Sequence, residues 1–376
     1  MVYLNQAATT FPKPKQVLDA VSDAIANQPQ GQFRSSSASE DIFDICRKNL
    51  GKLFGVKQYQ NIVFTAGATA AANALFYGLD FETGKVVVSQ TEHNSILRPA
   101  MNLTEKISEG IILPCDEKGY LEPDTLESIL EENDNQIRAV FINHCSNVTG
   151  AIQPIEKLAQ VCHKHLAMII ADFSQSAGCI PIDADSWGID AFIFAGHKGL
   201  YGIQGIGGYY IRPEYSVKPF MYGGTGRDSK IIRYENNFEY EVGTGNGPGV
   251  AGLNAGVRFI LDTGVENIRF HEQQLMDTLY KRLADMKGIN LIAIPKEKRG
   301  PVLSFTVDGI NPSDVAYILQ NGYGITVRTG LHCAPLIHEA LHTKDKGTIR
   351  VSVSYFNTKE DVDALIAAMT DITAGL

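Results

Sequence analysis

Two side chains of complementary chemistry stand at the ends of apolar runs in mid-sequence. MIIAD ends on Asp172, and AFIFAG is followed by His197 and Lys198. The acid would keep a pyridine nitrogen protonated while the lysine forms a Schiff base, the division of labour a pyridoxal phosphate enzyme needs. The same pair also serves as plain loop polar residues in many α/β chains. Gln175, on the turn after Asp172, can donate to the ring hydroxyl oxygen or simply face solvent. A second centre is RTGLHCAP, where Cys333 sits in a polar, glycine-containing turn with Arg328, His332 and His338 close by. Cationic neighbours would favour its thiolate; the alternative is an unreactive small cysteine. Arg328 and, in TIRVSVS, Arg350 offer guanidinium forks for a substrate α-carboxylate. A buried arginine paired to an acid would look the same.

Three further groups fit around a flat, phosphorylated cofactor. His93, in EHNSILRP, follows a strand end and can stack on a ring or act as a hydrogen-bonded loop residue. Gly67, Ala68 and Thr69 open a helix and can bind a phosphate through backbone N–H groups and the Thr69 hydroxyl, or serve only as a cap. His197 would approach the same phosphate from the opposite side.

The elements that must hold these residues alternate in a regular way. TFPKP breaks an irregular start (1–14) before a helix over 15–27, and a polar stretch leads to a second helix, IFDICRKNLGKLFG. NIVFTAG predicts a strand running into the Ala-rich helix ATAAANALFYGL. KVVVS is a strand followed by a polar turn carrying His93, and Asp124 lies near the start of a helix. AVFINH, PIEKLAQVCHKH, MIIAD and AFIFAG then give strand, helix, strand, strand. This alternation implies a mostly parallel sheet covered on both faces. Helices over 249–264 and 266–286 lead to PVLSFTV, SDVAYILQN, the strand ITVRTG, the strand TIRVSVS and a last helix after Asn357. That final third reads as α+β.

Composition excludes several classes. The 376 residues are 44% hydrophobic with a net charge of -9, enough for one large domain plus a smaller one. No long basic run supports nucleic-acid binding. No stretch of eighteen apolar residues and no signal-peptide pattern is evident, which gives a cytoplasmic, non-membrane expectation. The six cysteines show neither CxxC spacing nor a disulfide framework, and no metal site is expected.

The chain resembles the cysteine desulfurases of the class V aminotransferase superfamily, in the group with a short RxGxHCAP-type catalytic loop. The likeness runs through YLNQAATT (the family's Y-L-D-N-A-A-T-T), FTAGATAAAN, TEHNSILRP, NHCSNVTG, DFSQSAG, FAGHKGLYG, GTGN, VRTGLHCAP and GTIRVSVSYFNT. It implies an α/β, pyridoxal-phosphate-dependent transferase fold of type I, with a mostly parallel central sheet and a smaller α+β domain. Residues 15–257 would form the large domain, and 1–14 plus 258–376 the small one. It implies that Lys198 holds the cofactor, Asp172 pairs with the pyridine nitrogen, Gln175 approaches the ring hydroxyl and His93 stacks on the ring. Ala68, Thr69 and His197 would bind the phosphate, with Thr225 reaching it from the neighbouring subunit of a homodimer. Asn147 would hold substrate and ring, Arg350 the substrate carboxylate, and Cys333 would attack the sulfur of L-cysteine. A sulfur-acceptor protein or reductant would remove the persulfide. Selenocysteine lyase, or an aminotransferase or epimerase on another amino acid, uses the same parts. Three departures stand out: Asn5-Gln6 for Asp-Asn, Ala195 where Ser or Thr is common, and Gly245 where relatives have proline. Loss of the hydroxyl at 195 would remove a phosphate contact of about 1.5–3 kcal/mol.

Overall fold

A computed structural model describes residues 1–27, 41–81, 84–102, 108–134, 136–224, 230, 232 and 241–374. The chain opens with β1 (Val2–Tyr3), α1 (Lys15–Ala26) and α2 (Ile42–Phe54). Asp41 caps α2 by accepting from the Phe43 amide, and Gly55 closes it in the left-handed conformation. β2 (Ile62–Thr65) runs into α3 (Ala68–Gly78), and β3 (Lys85–Ser89) into α4 (Asn94–Asn102). Then follow β4 (Glu109–Leu113), α5 (Pro123–Glu132), β5 (Ile137–Asn143), α6 (Ile155–Lys164), β6 (Met168–Asp172), β7 (Ala191–Ala195) and β8 (Gly207–Ile211).

These strands form a seven-stranded sheet in the order β2-β8-β7-β6-β5-β3-β4. Pairs among β3, β4, β5, β6 and β7 are parallel; β8 alone runs against its neighbours β7 and β2. Both faces are covered, as continuous apolar strands require. Along β5, Ile137, Val140 and Ile142 join a core cluster with residues of α2, α5, α6 and α7, while Ala139 and Phe141 join one with α3 and α4. Phe141 stacks on Phe76 at 4.2 Å between ring centroids. Because β2, β3, β5, β6 and β7 point the same way, their carboxyl ends share one edge, where open α/β sheets bind ligands.

α7 (Gly247–Thr263) and α8 (Val265–Ala284) lead to β9 (Ile289–Leu291), β10 (Val302–Val307), α9 (Pro312–Tyr323), β11 (Ile325–Thr326), β12 (Arg328–Gly330), α10 (Ile337–Ala340), β13 (Thr348–Ser352) and α11 (Lys359–Thr373). A second sheet has the order β12-β13-β10-β9, all antiparallel. Two expectations need correction. The first residues are not wholly irregular, because β1 pairs in parallel with β11. ITVRTG is not one strand: it breaks at Val327, giving Ile325–Thr326 to β1 and Arg328–Gly330 to β13. No helix among the described residues is long and apolar enough to cross a membrane.

Candidate active site

A cavity of about 690 Å³ opens at the shared strand edge and is lined by the ends of β5, β6 and β7, the start of α3 and residues of β12 and β13. It brings together Ala68, Thr69, His93, Asn147, Asp172, Gln175, His197, Lys198, Arg328 and Arg350. Thr225 lies outside the described residues.

At one end, α3 begins with Gly67 at φ +140° and no side chain capping its first amides. Such a helix start presents N–H groups to an anion. His197 reaches the cavity with a buried Nδ1 that has no partner, and burial beside Lys198 brings its pKa down to about 4, so the ring is neutral. Ala195 lines the same wall and adds no hydroxyl. The GTGN turn is tied down by Asn246, which accepts from the Gly249 amide at 2.9 Å and donates to the Gly205 carbonyl at 3.0 Å.

In the middle, Asp172 ends β6 and accepts from the Ser174 amide at 2.8 Å. Lys198 follows β7; burial lowers its pKa to about 8, with Asp172 opposing and the Arg350 and Arg328 guanidinium groups assisting. His93 accepts the Ser95 amide at Nδ1 (3.1 Å), and burial, with help from the Lys198 ammonium, brings its pKa to about 4. It is therefore a neutral flat ring, the form suited to stacking. The Gln175 amide donates to the Ala7 carbonyl at 3.0 Å.

At the other end, Arg328 and Arg350 sit directly opposite each other on β12 and β13. Like charges so placed repel, and buried charges are ordinarily paired. Arg350 is 1% exposed, yet its bonds go to the Asn147 carbonyl at 2.9 Å and the Asn5 Oδ1 at 3.2 Å, both uncharged, while its Nε has none. Two guanidinium groups with no carboxylate partner among the described residues make a receptor for one. Arg328 Nη2 also reaches the Cys333 Sγ at 3.2 Å. His332 and Cys333 are both left-handed (φ +51° and +60°), a strained pair held by Asn147 donating to the His332 carbonyl at 2.7 Å.

The expectation that His332 and His338 bear on the Cys333 thiolate as cations is corrected. Burial holds them neutral, at about 2 and about 4, and one ring nitrogen of each is engaged, His332 Nε2 by Thr348 and His338 Nδ1 by Thr343. The cation at the sulfur is Arg328. Residues absent from the sequence reading also line the cavity: Asn143, Ser174, Gln204 and Gly205. Asn143 and Ser174 lie within NHCSNVTG and DFSQSAG but carry no assigned role there, and Gln204 and Gly205 lie in the turn before β8, so only position gives them away. Asn147 Oδ1, Ser174 Oγ, His197 Nδ1 and Arg350 Nε are buried without partners around this one space. Unmet donors and acceptors in such number fit a polar, anionic cofactor and substrate.

The model of the family described as aminotransferase class-V matches residues 2–365. A probable cysteine desulfurase of Methanothermobacter thermautotrophicus is 30% identical over 385 residues, covering 99% of this chain and 94% of that one. A probable cysteine desulfurase of Mycolicibacterium paratuberculosis is 30% identical over the whole chain, which spans 56% of its length. The apo structure of cysteine desulfurase from Thermococcus onnurineus superposes with a TM-score of 0.89 at 28% identity, over 100% of this chain and 95% of that one. With the sheet order, the lysine and acid at its edge and the cysteine turn in place, the chain belongs to the cysteine desulfurase family of the class-V aminotransferase superfamily.

Proposed function

We propose that this protein is a pyridoxal-phosphate-dependent cysteine desulfurase: L-cysteine and the Cys333 thiol give L-alanine and a Cys333 persulfide. The observation that carries this reading is the 3.2 Å contact between Cys333 and Arg328, since Arg328 itself lines the cavity that holds Lys198, Asp172 and Arg350. When bound, pyridoxal phosphate supplies an electron sink next to the substrate α-carbon. The chain's residues fit it: the α3 amides, Thr69 and His197 for the phosphate, His93 for the ring face, Asp172 for the ring nitrogen, Gln175 for the ring hydroxyl and Lys198 for attachment.

Arg350 and Arg328 would orient the substrate carboxylate, with Asn147 Oδ1 accepting from substrate or ring. The Lys198 amine, its pKa brought down to about 8 by burial, is substantially neutral near pH 8 and serves as the base at the α-carbon. The Cys333 thiolate, paired with Arg328, attacks the substrate sulfur. The new S–S bond forms as the Cβ–S bond breaks, its electron pair stays with carbon, and protonation of Cβ yields alanine. A thiol reductant or acceptor protein then removes the outer sulfur.

Exposed Phe220, Met221 and Tyr222 beside the cavity support a homodimer in which a second copy covers this rim. A large unit and a small unit are proposed as well; α7 runs unbroken through position 257, so the divide is best placed at Gly264, between α7 and α8. The test is incubation of cofactor-loaded protein with L-cysteine, scoring alanine together with a one-sulfur mass gain on Cys333. Both products in the native protein, and neither persulfide nor turnover in Cys333→Ala, are expected. Alanine formation undiminished in Cys333→Ala would refute the reading.

A further inference from the structure

Behind Asp172 lies a second acid that the reaction does not use. Glu92 is fully buried between β3 and His93, and its Oε2 has no partner. Its Oε1 lies 3.5 Å from the Ser89 hydroxyl, which lies 2.9 Å from the Thr91 hydroxyl, which in turn lies 2.6 Å from Asn143 Oδ1. Asn143 lines the cavity and is register partner to Asp172.

The direction of this chain can be deduced. Asn143 donates through Nδ2 to the Thr91 carbonyl at 2.7 Å, so Oδ1 is fixed as an acceptor. The single Thr91 hydroxyl proton must then go to Asn143. The Ser89 proton must go to Thr91, or two lone pairs would face each other at 2.9 Å. The long 3.5 Å contact could by position take Ser89 as donor to Glu92 Oε1, but with the one Ser89 proton committed to Thr91 it carries a proton only if the carboxyl supplies it.

We propose that Glu92 is held as a neutral carboxylic acid whose proton starts a one-way hydrogen-bond chain through Ser89 and Thr91 to Asn143, positioning Asn143 at the cavity wall beside Asp172. Burial first, and then the Asp172 charge on β6, raise the Glu92 pKa well above the carboxylate range. The amides of Asn143 and His93 oppose this more weakly. His93 is neutral, and Lys198 faces Asp172. An ionised Glu92 would instead leave the single Ser89 proton facing two acceptors, Glu92 and Thr91, and the chain would be broken at one of them. The role of Asn143 at the cofactor rests on the function proposed above; the proton on Glu92 does not.

Infrared difference spectra of the protein without substrate, native against Glu92→Gln at about pH 8, test the protonation state. The carbonyl band of a protonated carboxylic acid should be present in the native protein and lost in the variant. A carboxylate band lost instead would overturn the proposal whatever the enzyme's reaction. In cofactor-loaded protein, Glu92→Gln should leave the pH midpoint of the visible band unchanged, because no charge is removed. A fall of about one pH unit would mean that Glu92 is an anion. Thr91→Val, which breaks the chain without touching the acid, should speed cofactor loss roughly tenfold, the worth of one hydrogen bond. Unchanged retention there would overturn the positioning role.

Discussion

The chemistry of single residues here follows from what surrounds them more than from their type. Lys198 shows this directly. An amine of ordinary pKa would be almost wholly charged at neutral pH, whereas burial among Arg350 and Arg328 brings it to about 8. Because the value is lowered, the neutral amine accumulates as pH rises through 8, not through about 10.4. Capture of pyridoxal phosphate by apoprotein, followed by its visible band, should therefore accelerate with pH and level off above about 8 to 9. A rate still climbing steeply at about pH 10 would contradict this environment. The reactive types were legible in sequence: an acid, a lysine and a cysteine beside glycine-bearing turns have few structural duties there. Their neighbours' charge states were not. His332 and His338 stand next to Cys333 in sequence as potential cations, but burial makes them neutral, and Arg328 reaches the sulfur only because the strand pairing turns it there.

Elements set the positions. The strands of the large sheet were readable because fully apolar runs bounded by turn residues have one stable use, burial on both faces. β1 and the break in ITVRTG were not, since two-residue strands carry no period and exist only through their partners. Between β2 and α3, Gly67 at φ +140° and ψ 175° occupies a region reserved for glycine. An added Cβ would meet nothing within 4 Å, so the cost of Gly67→Ala is conformational, about 1–3 kcal/mol. Denaturant titration should show that loss together with weaker cofactor retention; an unchanged protein would mean that the turn is not strained. On α8, Glu272 is buried with both carboxylate oxygens unpartnered, and burial raises its pKa well above the usual range. It stays protonated in the fold while the unfolded chain ionises near 4.3, so its contribution is fully present below that pH and declines above it. Relative to Glu272→Gln, the native protein should lose stability as pH rises above about 4, by up to about 1.4 kcal/mol per unit. A pH-independent difference would show that Glu272 is ionised in the fold.

At the scale of the molecule, the first ten residues join the two sheets through the active site. β1 pairs with β11, the Asn5 backbone bridges Ser352, and Thr10 donates to the Lys198 carbonyl at 2.9 Å. Gln6, 3% exposed, donates to the Phe11 carbonyl and Asn357 Oδ1 and accepts from the Phe11 amide, at 2.8, 3.0 and 2.9 Å. YLNQAATT revealed this segment only by family likeness, because its role depends on contacts hundreds of residues away. Gln6→Ala should cost about 2–4 kcal/mol by leaving several buried groups unpaired. Loss of cofactor binding at the same denaturant concentration would tie the segment to the site; a loss confined to the N-terminus would separate them.

The central claim is that Cys333 takes sulfur from L-cysteine as a stoichiometric nucleophile. A single-turnover mixing experiment without added thiol tests it most directly. One alanine per Cys333 should appear in a burst, then stop, and resume when a reductant is added. Continuous alanine release with free sulfide and no persulfide on Cys333 would contradict the account.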